Sequence, residues 1–131
     1  MKKQLLVLNV LIVAIIFFSE LRAQQLLFES RKHNFGYLQR GEIDTMRFKF
    51  KNDGKAPLII TDAKFECSCT SVNFPTDSIF PGKEGVIEVI YNSKGAIGLQ
   101  DRHVTVISNS RKGNEKIHFR GEVLNARKLG F

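Results

Sequence analysis

The chain has 131 residues, with 20 Lys and Arg against 13 Asp and Glu, a formal net charge of +7, 43% hydrophobic residues, two Cys, three Pro and no Trp. That length bounds the answer to one domain with a single core and excludes a large enzyme apparatus. The basic balance leaves anionic lipids or polysaccharides open as partners.

The N-terminus reads as a leader. Met1, Lys2 and Lys3 form a positive start, Leu5 to Phe18 are apolar except for Asn9, and Ser19 to Ala23 lead into Gln24. This is a secretory signal peptide pattern over residues 1–23, and its apolar run falls short of the ~20 residues of a membrane span. Ala23 suits the last position before cleavage, whereas Leu21 is larger than usual two residues earlier, so an uncleaved anchor remains the one route to a membrane. No Cys follows the apolar run, which excludes a lipid-modified N-terminus. Removing residues 1–23 leaves 108 residues and a charge of +5. An exported domain of this kind is periplasmic or secreted and meets no nucleic acid.

The mature region alternates with period two, the mark of a half-buried strand. Leu26 to Arg31 begin the series. Met46, Phe48 and Phe50 then face one way, with Arg47, Lys49 and Lys51 facing the other. Leu58 to Phe65 follow, Thr70 to Phe74 predict a short edge strand, and Val86 to Tyr91 and His103 to Ser108 carry the Val, Ile and aromatic residues that strands prefer. Near the end Ile117, Phe119 and Val123 oppose Lys116, His118, Arg120 and Glu122.

Turn signals separate these runs. Asn52-Asp53-Gly54 precedes Pro57, and Pro81-Gly82 places Pro and Gly at the centre of a type II turn. No segment has a 3.6-residue stripe. About seven strands in this length predict an all-β, antiparallel sandwich over residues 24–124, followed by a basic tail, 125–131. A membrane barrel would also fit the length, but its aromatic girdles are missing: Trp is absent and Tyr occurs only at 37 and 91.

An ordered set of local motifs runs through this region. It comprises His33-Asn34-Phe35-Gly36, Gly41-Glu42, Phe48-Lys49-Phe50-Lys51-Asn52-Asp53-Gly54, Pro57-Leu58-Ile59-Ile60, Cys67-Ser68-Cys69-Thr70, Pro81-Gly82-Lys83-Glu84-Gly85, Ser108-Asn109 and Gly121-Glu122-Val123. In order and spacing it resembles the bacterial domain-of-unknown-function family 1573. That family is similar to the immunoglobulin-like domains of the ASPM, SPD-2, Hydin and major-sperm-protein type. The resemblance covers about residues 28–123 and implies an immunoglobulin-like fold and an exported setting rather than a reaction. Two positions depart from the family pattern: Asn34 stands where Asp is common, removing a charge that would anchor the turn, and Ser68 stands where Gly is common.

Cys67 and Cys69 are the feature with chemical potential. In an extended strand, residues two apart share a face with Cα atoms about 6.6 Å apart, whereas a disulfide wants Cβ atoms about 3.8 Å apart, so bonding them requires a local bend or strain. Four readings stand: buried reduced thiols, a strained and readily reduced disulfide, a soft-metal site for copper or zinc, and a partner-directed thiol. A metal would need further ligands from His33, His103, His118 or Met46, none at a recognised spacing. Met46 reads as core and His118 as outward-facing. Nucleophilic catalysis has no local signature, so no enzyme and no cofactor is expected.

Two candidate surfaces remain. Arg47, Lys49 and Lys51, with Arg102, Lys116 and Arg120, would form a basic face if their strands are neighbours. Gly95-Ala96-Ile97-Gly98-Leu99 would offer Ile97 and Leu99 at an apolar loop tip, or fold them back over the sandwich end. The sequence therefore predicts an exported, non-catalytic module that binds a protein or envelope component, with a thiol or soft-metal protein centred on Cys67 and Cys69 as the alternative.

Overall fold

The computed structural model describes residues 1–19 and 23–125. Within the predicted leader, helix α1 (Lys2–Ser19) opens on Lys2, Lys3 and Gln4 and continues through the Leu-, Val- and Ile-rich run, in which only Asn9 is polar up to Ile16. Residues 20–22 of the leader and 126–131 of the tail lie outside the described residues. Among those described, no helix is long and apolar enough to cross a membrane.

Eight strands follow: β1 (Leu26–Phe28), β2 (Lys32–Gln39), β3 (Ile43–Asn52), β4 (Ile60–Phe65), β5 (Thr70–Asn73), β6 (Glu84–Asn92), β7 (Gly98–Ser108) and β8 (Glu115–Leu124). They form two four-stranded sheets, ordered β1-β3-β6-β5 and β2-β8-β7-β4. The first sheet is antiparallel throughout, as expected. The second departs from the expected antiparallel layer, because β2 runs parallel to β8 from Lys32↔His118 to Gln39↔Leu124. A parallel neighbour needs a long crossover, and here almost the whole sandwich lies between the two strands.

The alternation read from sequence sets the core. Met46, Phe48 and Phe50 of β3 are buried in one cluster with Ile117, Phe119 and Val123 of β8, Ile87, Val89 and Tyr91 of β6 and Val104 and Val106 of β7, which Leu26, Phe28, Leu58, Ile60 and Ile79 extend. Each such side chain contributes roughly 1.5–3 kcal/mol by leaving water. Phe35, Tyr91 and Phe119 cluster between the layers, with centroids 5.6 Å apart for Phe35 and Tyr91 and 5.4 Å for Tyr91 and Phe119.

Two glycines make room for this aromatic packing. Gly85 lies opposite Phe50 in the β3–β6 ladder, and a Cβ there would overlap the Phe50 ring. Gly121 of β8 is covered in the same way by Phe35 of β2. Each sheet thus lays a phenylalanine over the bare backbone of a neighbouring strand, which is one reason a strand interior keeps a glycine.

The turns form as their residues dictate. Gly82 has φ +80°, and Lys83 N–H donates to Phe80 O at 3.0 Å, closing the type II turn around Pro81-Gly82. Asn52 does more than mark a turn. It is fully buried; its Oδ1 accepts from Gly54 N–H at 3.0 Å and Gln25 N–H at 3.3 Å, and its Nδ2 donates to Ala56 O and Ile79 O at 2.8 Å each. One side chain therefore fastens the chain before β1, the loop after β3 and the segment that bridges Leu58 to Ile79.

Candidate functional site

The outer face of β2-β8-β7 carries a groove whose walls follow from strand register. Asn34, Arg120 and Asp101 stand side by side across the three strands, as do Tyr37, Glu122 and Leu99, two residues away on β8 and β7 and three on β2. Gly36, Gly121 and Gln100 form the row between them, and none of these three raises a side chain outward, so the two outward rows become the banks of a groove. A bulge between Asn34 and Gly36 sets β2 in this position. It is held by Gly36 N–H donating to Asn34 Oδ1 at 2.8 Å, with Gly36 at φ +69°. The amide oxygen of Asn34 supplies the anchor, so the missing carboxylate charge is not needed for this turn.

One bank of the groove is polar and the other amphipathic. Asp101 is engaged by His118 Nε2 from the neighbouring strand, and Arg120 stands beside it. Across the gap, Tyr37 and Leu99 keep 72% and 84% of their surface in water. A ring, a branched aliphatic side chain and a set of polar forks around an open cleft suit an extended polar ligand with an apolar side. Isolated exposed apolar residues are ordinary, but two that flank one cleft make a surface feature.

The sequence places Leu99 with Ile97 in one loop, either exposed at its tip or folded back over the sandwich end. Instead a short 3-10 turn (Ser93–Gly95) ends before Ile97, and β7 begins at Gly98, so Leu99 is a strand residue opposite Glu122. Ile97 remains exposed in the link that precedes it. The two residues therefore do not form one loop tip. They are also not folded back over the sandwich end.

Arg47, Lys49 and Lys51 all face outward from β3, as their alternation predicts. They do not join Arg102, Lys116 and Arg120 in one basic face, because β3 belongs to one sheet and β7 and β8 to the other. Arg47 Nε meets Glu88 Oε2 at 3.0 Å, and Lys51 lies opposite Glu84 in the ladder, so the outer face of β3-β6 is mixed in charge. Arg102 turns toward the half-buried side of β7 and donates from Nη2 to Gln100 Oε1 at 3.1 Å.

Cys67 and Cys69 lie in a turn between β4 and β5, outside any strand, and they are joined by a disulfide with Cα atoms 5.2 Å apart. Thr70 N–H donates to Cys67 O at 3.1 Å, which supplies the bend that an extended strand lacks. Both cysteines are half-buried and Ser68 at the tip is exposed. A crosslink spanning only one residue restrains the unfolded chain little, about 1.6 kcal/mol by the loop-closure relation. The three histidines are dispersed: His103 Nε2 meets Glu66 Oε1 at 3.0 Å, His33 lies 3.9 Å from Asp44 Oδ2, and His118 pairs with Asp101. Among the described residues no group of three or more His, Cys, Asp or Glu side chains gathers as a metal site would require.

Sequence reading missed Tyr37, Asn34, Asp101 and Glu122 as groove residues. Their proximity depends on the pairing order of β2, β8 and β7, which no local pattern announces. The usable signal was Asn34-Phe35-Gly36 read as a bulge inside a strand rather than as the end of one.

A family model described as Protein of unknown function (DUF1573) matches residues 26–123. No curated protein matches the chain. Among solved structures, a protein of unknown function from Porphyromonas gingivalis W83 superposes with a TM-score of 0.67 at 16% identity, covering 77% of this chain and 47% of that one. PapD-like domain 7 of human CEP192 gives a TM-score of 0.61 at 9% identity, covering 79% of this chain and 88% of that domain. The secreted serine protease VesC from Vibrio cholerae gives 0.58 at 15% identity, covering 76% of this chain and 23% of that one. This chain thus spans less than half of the first and third of these. At such identities the likenesses establish the fold alone, an immunoglobulin-like β-sandwich.

Proposed function

Since the chain belongs to the DUF1573 family, whose description assigns no activity, we propose that it is an exported, non-catalytic module that binds a protein or another envelope component through the outer face of β2-β8-β7. The observation that carries this reading is the groove between Asn34-Arg120-Asp101 and Tyr37-Glu122-Leu99, with its exposed ring and exposed leucine. An immunoglobulin-like sandwich offers such surfaces without catalytic groups. The apolar leader and a disulfide on the perimeter support an exported setting, because disulfides persist in oxidising compartments.

The test compares three full-length chains carrying a photo-reactive residue at position 99, 37 or 49 in the native envelope. Positions 99 and 37 are expected to capture one common partner, and position 49, on the opposite sheet, is expected not to. Leu99→Glu should abolish that capture and change stability by no more than about 0.5 kcal/mol, as an exposed substitution does. Equal capture from all three positions, or capture unchanged in Leu99→Glu, contradicts the assignment.

A further inference from the structure

We propose that Cys67 and Cys69 form a redox-active disulfide that exchanges electrons with a protein dithiol. This bond shares no residue with the groove. The bond joins residues two apart in sequence, so it ties no distant parts of the fold together. The strands on either side are already held by their own ladders, β4 to β7 and β5 to β6. Opening the bond therefore leaves both ladders in place and gives up only about 1.6 kcal/mol of chain restraint.

Its position favours access. The turn crosses from β4, at the edge of one sheet, to β5, at the edge of the other, so the bond lies on the perimeter: both cysteines are half-buried, Cys69 against the margin of the core, and Ser68 is exposed between them. Phe65, two residues before Cys67, is also exposed and offers an apolar contact beside the bond. Disulfides that keep a path to solvent are more labile than fully buried structural ones.

The two sulfurs are not equivalent. Cys69 N–H points at Cys67 Sγ, 3.0 Å away, whereas Cys69 Sγ has only the longer contact with Thr70 Oγ1 at 3.7 Å; the Cys69 carbonyl is pinned by Asn92 N–H at 2.8 Å. A backbone donor aimed at sulfur stabilises a thiolate, so Cys67 is the leaving sulfur. A thiolate of the partner dithiol attacks Cys69 Sγ, the Cys67–Cys69 bond breaks, and its electron pair departs on Cys67. The partner's second thiolate then attacks the partner's first sulfur in the mixed disulfide, closing the partner disulfide and releasing Cys69 as the leaving thiolate. The partner loses two electrons and becomes a disulfide, while its two protons pass to Cys67 and Cys69.

The test equilibrates the full oxidised chain with mixtures of reduced and oxidised glutathione, traps thiols with an alkylating agent, and counts them by mass. Two thiols should appear together across the glutathione ratios that half-reduce catalytic disulfides, with the far-ultraviolet circular dichroism unchanged. In Cys69→Ser the remaining Cys67 should react with an aromatic disulfide reagent at neutral pH several-fold faster than the remaining Cys69 of Cys67→Ser. A bond that stays closed in millimolar reduced glutathione overturns the proposal. So does loss of the β-sheet spectrum on reduction. Equal reactivity of the two single variants overturns the assignment of Cys67 as the leaving sulfur, and the native-chain titration stands whether or not either variant folds.

Discussion

Asn52 shows how much one buried polar side chain can organise. It uses both amide hydrogens and accepts two backbone N–H groups, so it sits in the core without an unmet hydrogen bond. Truncation would strand the carbonyls of Ala56 and Ile79 and two N–H groups in a closed space. Asn52→Ala is expected to cost about 2–4 kcal/mol, since each stranded group forfeits its bond and its hydration; urea unfolding measures this. Asn52→Asp should lose a similar amount, because a carboxylate cannot donate to the two carbonyls. In the sequence Asn52 was visible only as a turn residue. Its neighbours Asp53 and Gly54 supplied that signal, and nothing local distinguishes an Asn that faces water from one that holds three segments together.

At the scale of the element, legibility tracked the regularity of the ladder. β3 and β8 could be read residue by residue because each buries one face and wets the other, and the structure keeps Met46, Phe48, Phe50, Ile117, Phe119 and Val123 inside. β2 was invisible as a strand because its bulge at Asn34/Gly36 breaks the period and its glycine reads as punctuation. The same irregularity hid the groove, whose banks come from three strands far apart in the chain. Gly121 tests how closely these strands approach. Its inward face is filled by Phe35, so Gly121→Ala is expected to destabilise by about 1–3 kcal/mol, the range for overpacking a core. Gly121→Ala combined with Phe35→Leu should recover part of that loss, read as a non-additive pair in denaturant melts. No recovery would show that the cost arises elsewhere.

Across the whole molecule, the two sheets depend on different reaches of chain. The β1-β3-β6-β5 sheet is complete by Asn92, whereas the other has β8 at its interior, between β2 and β7. Ending the chain at residue 114 should therefore leave β2 and β7 without their shared neighbour and abolish the cooperative transition. By comparison, shortening the edge strand β5 should only weaken it. Thermal melts of the two truncations followed by circular dichroism separate these outcomes.

The parallel pairing of Lys32 with His118 also sets a timetable. Contacts between such remote residues close a large loop before they are rewarded, which places folding in the slow, millisecond-to-second class of sandwich proteins. During synthesis, β2 emerges early and has no mate until β8 has been made. In that interval its edge is an open template for aggregation, and the bulge and Gly36 that later shape the groove interrupt that template while the nascent chain waits.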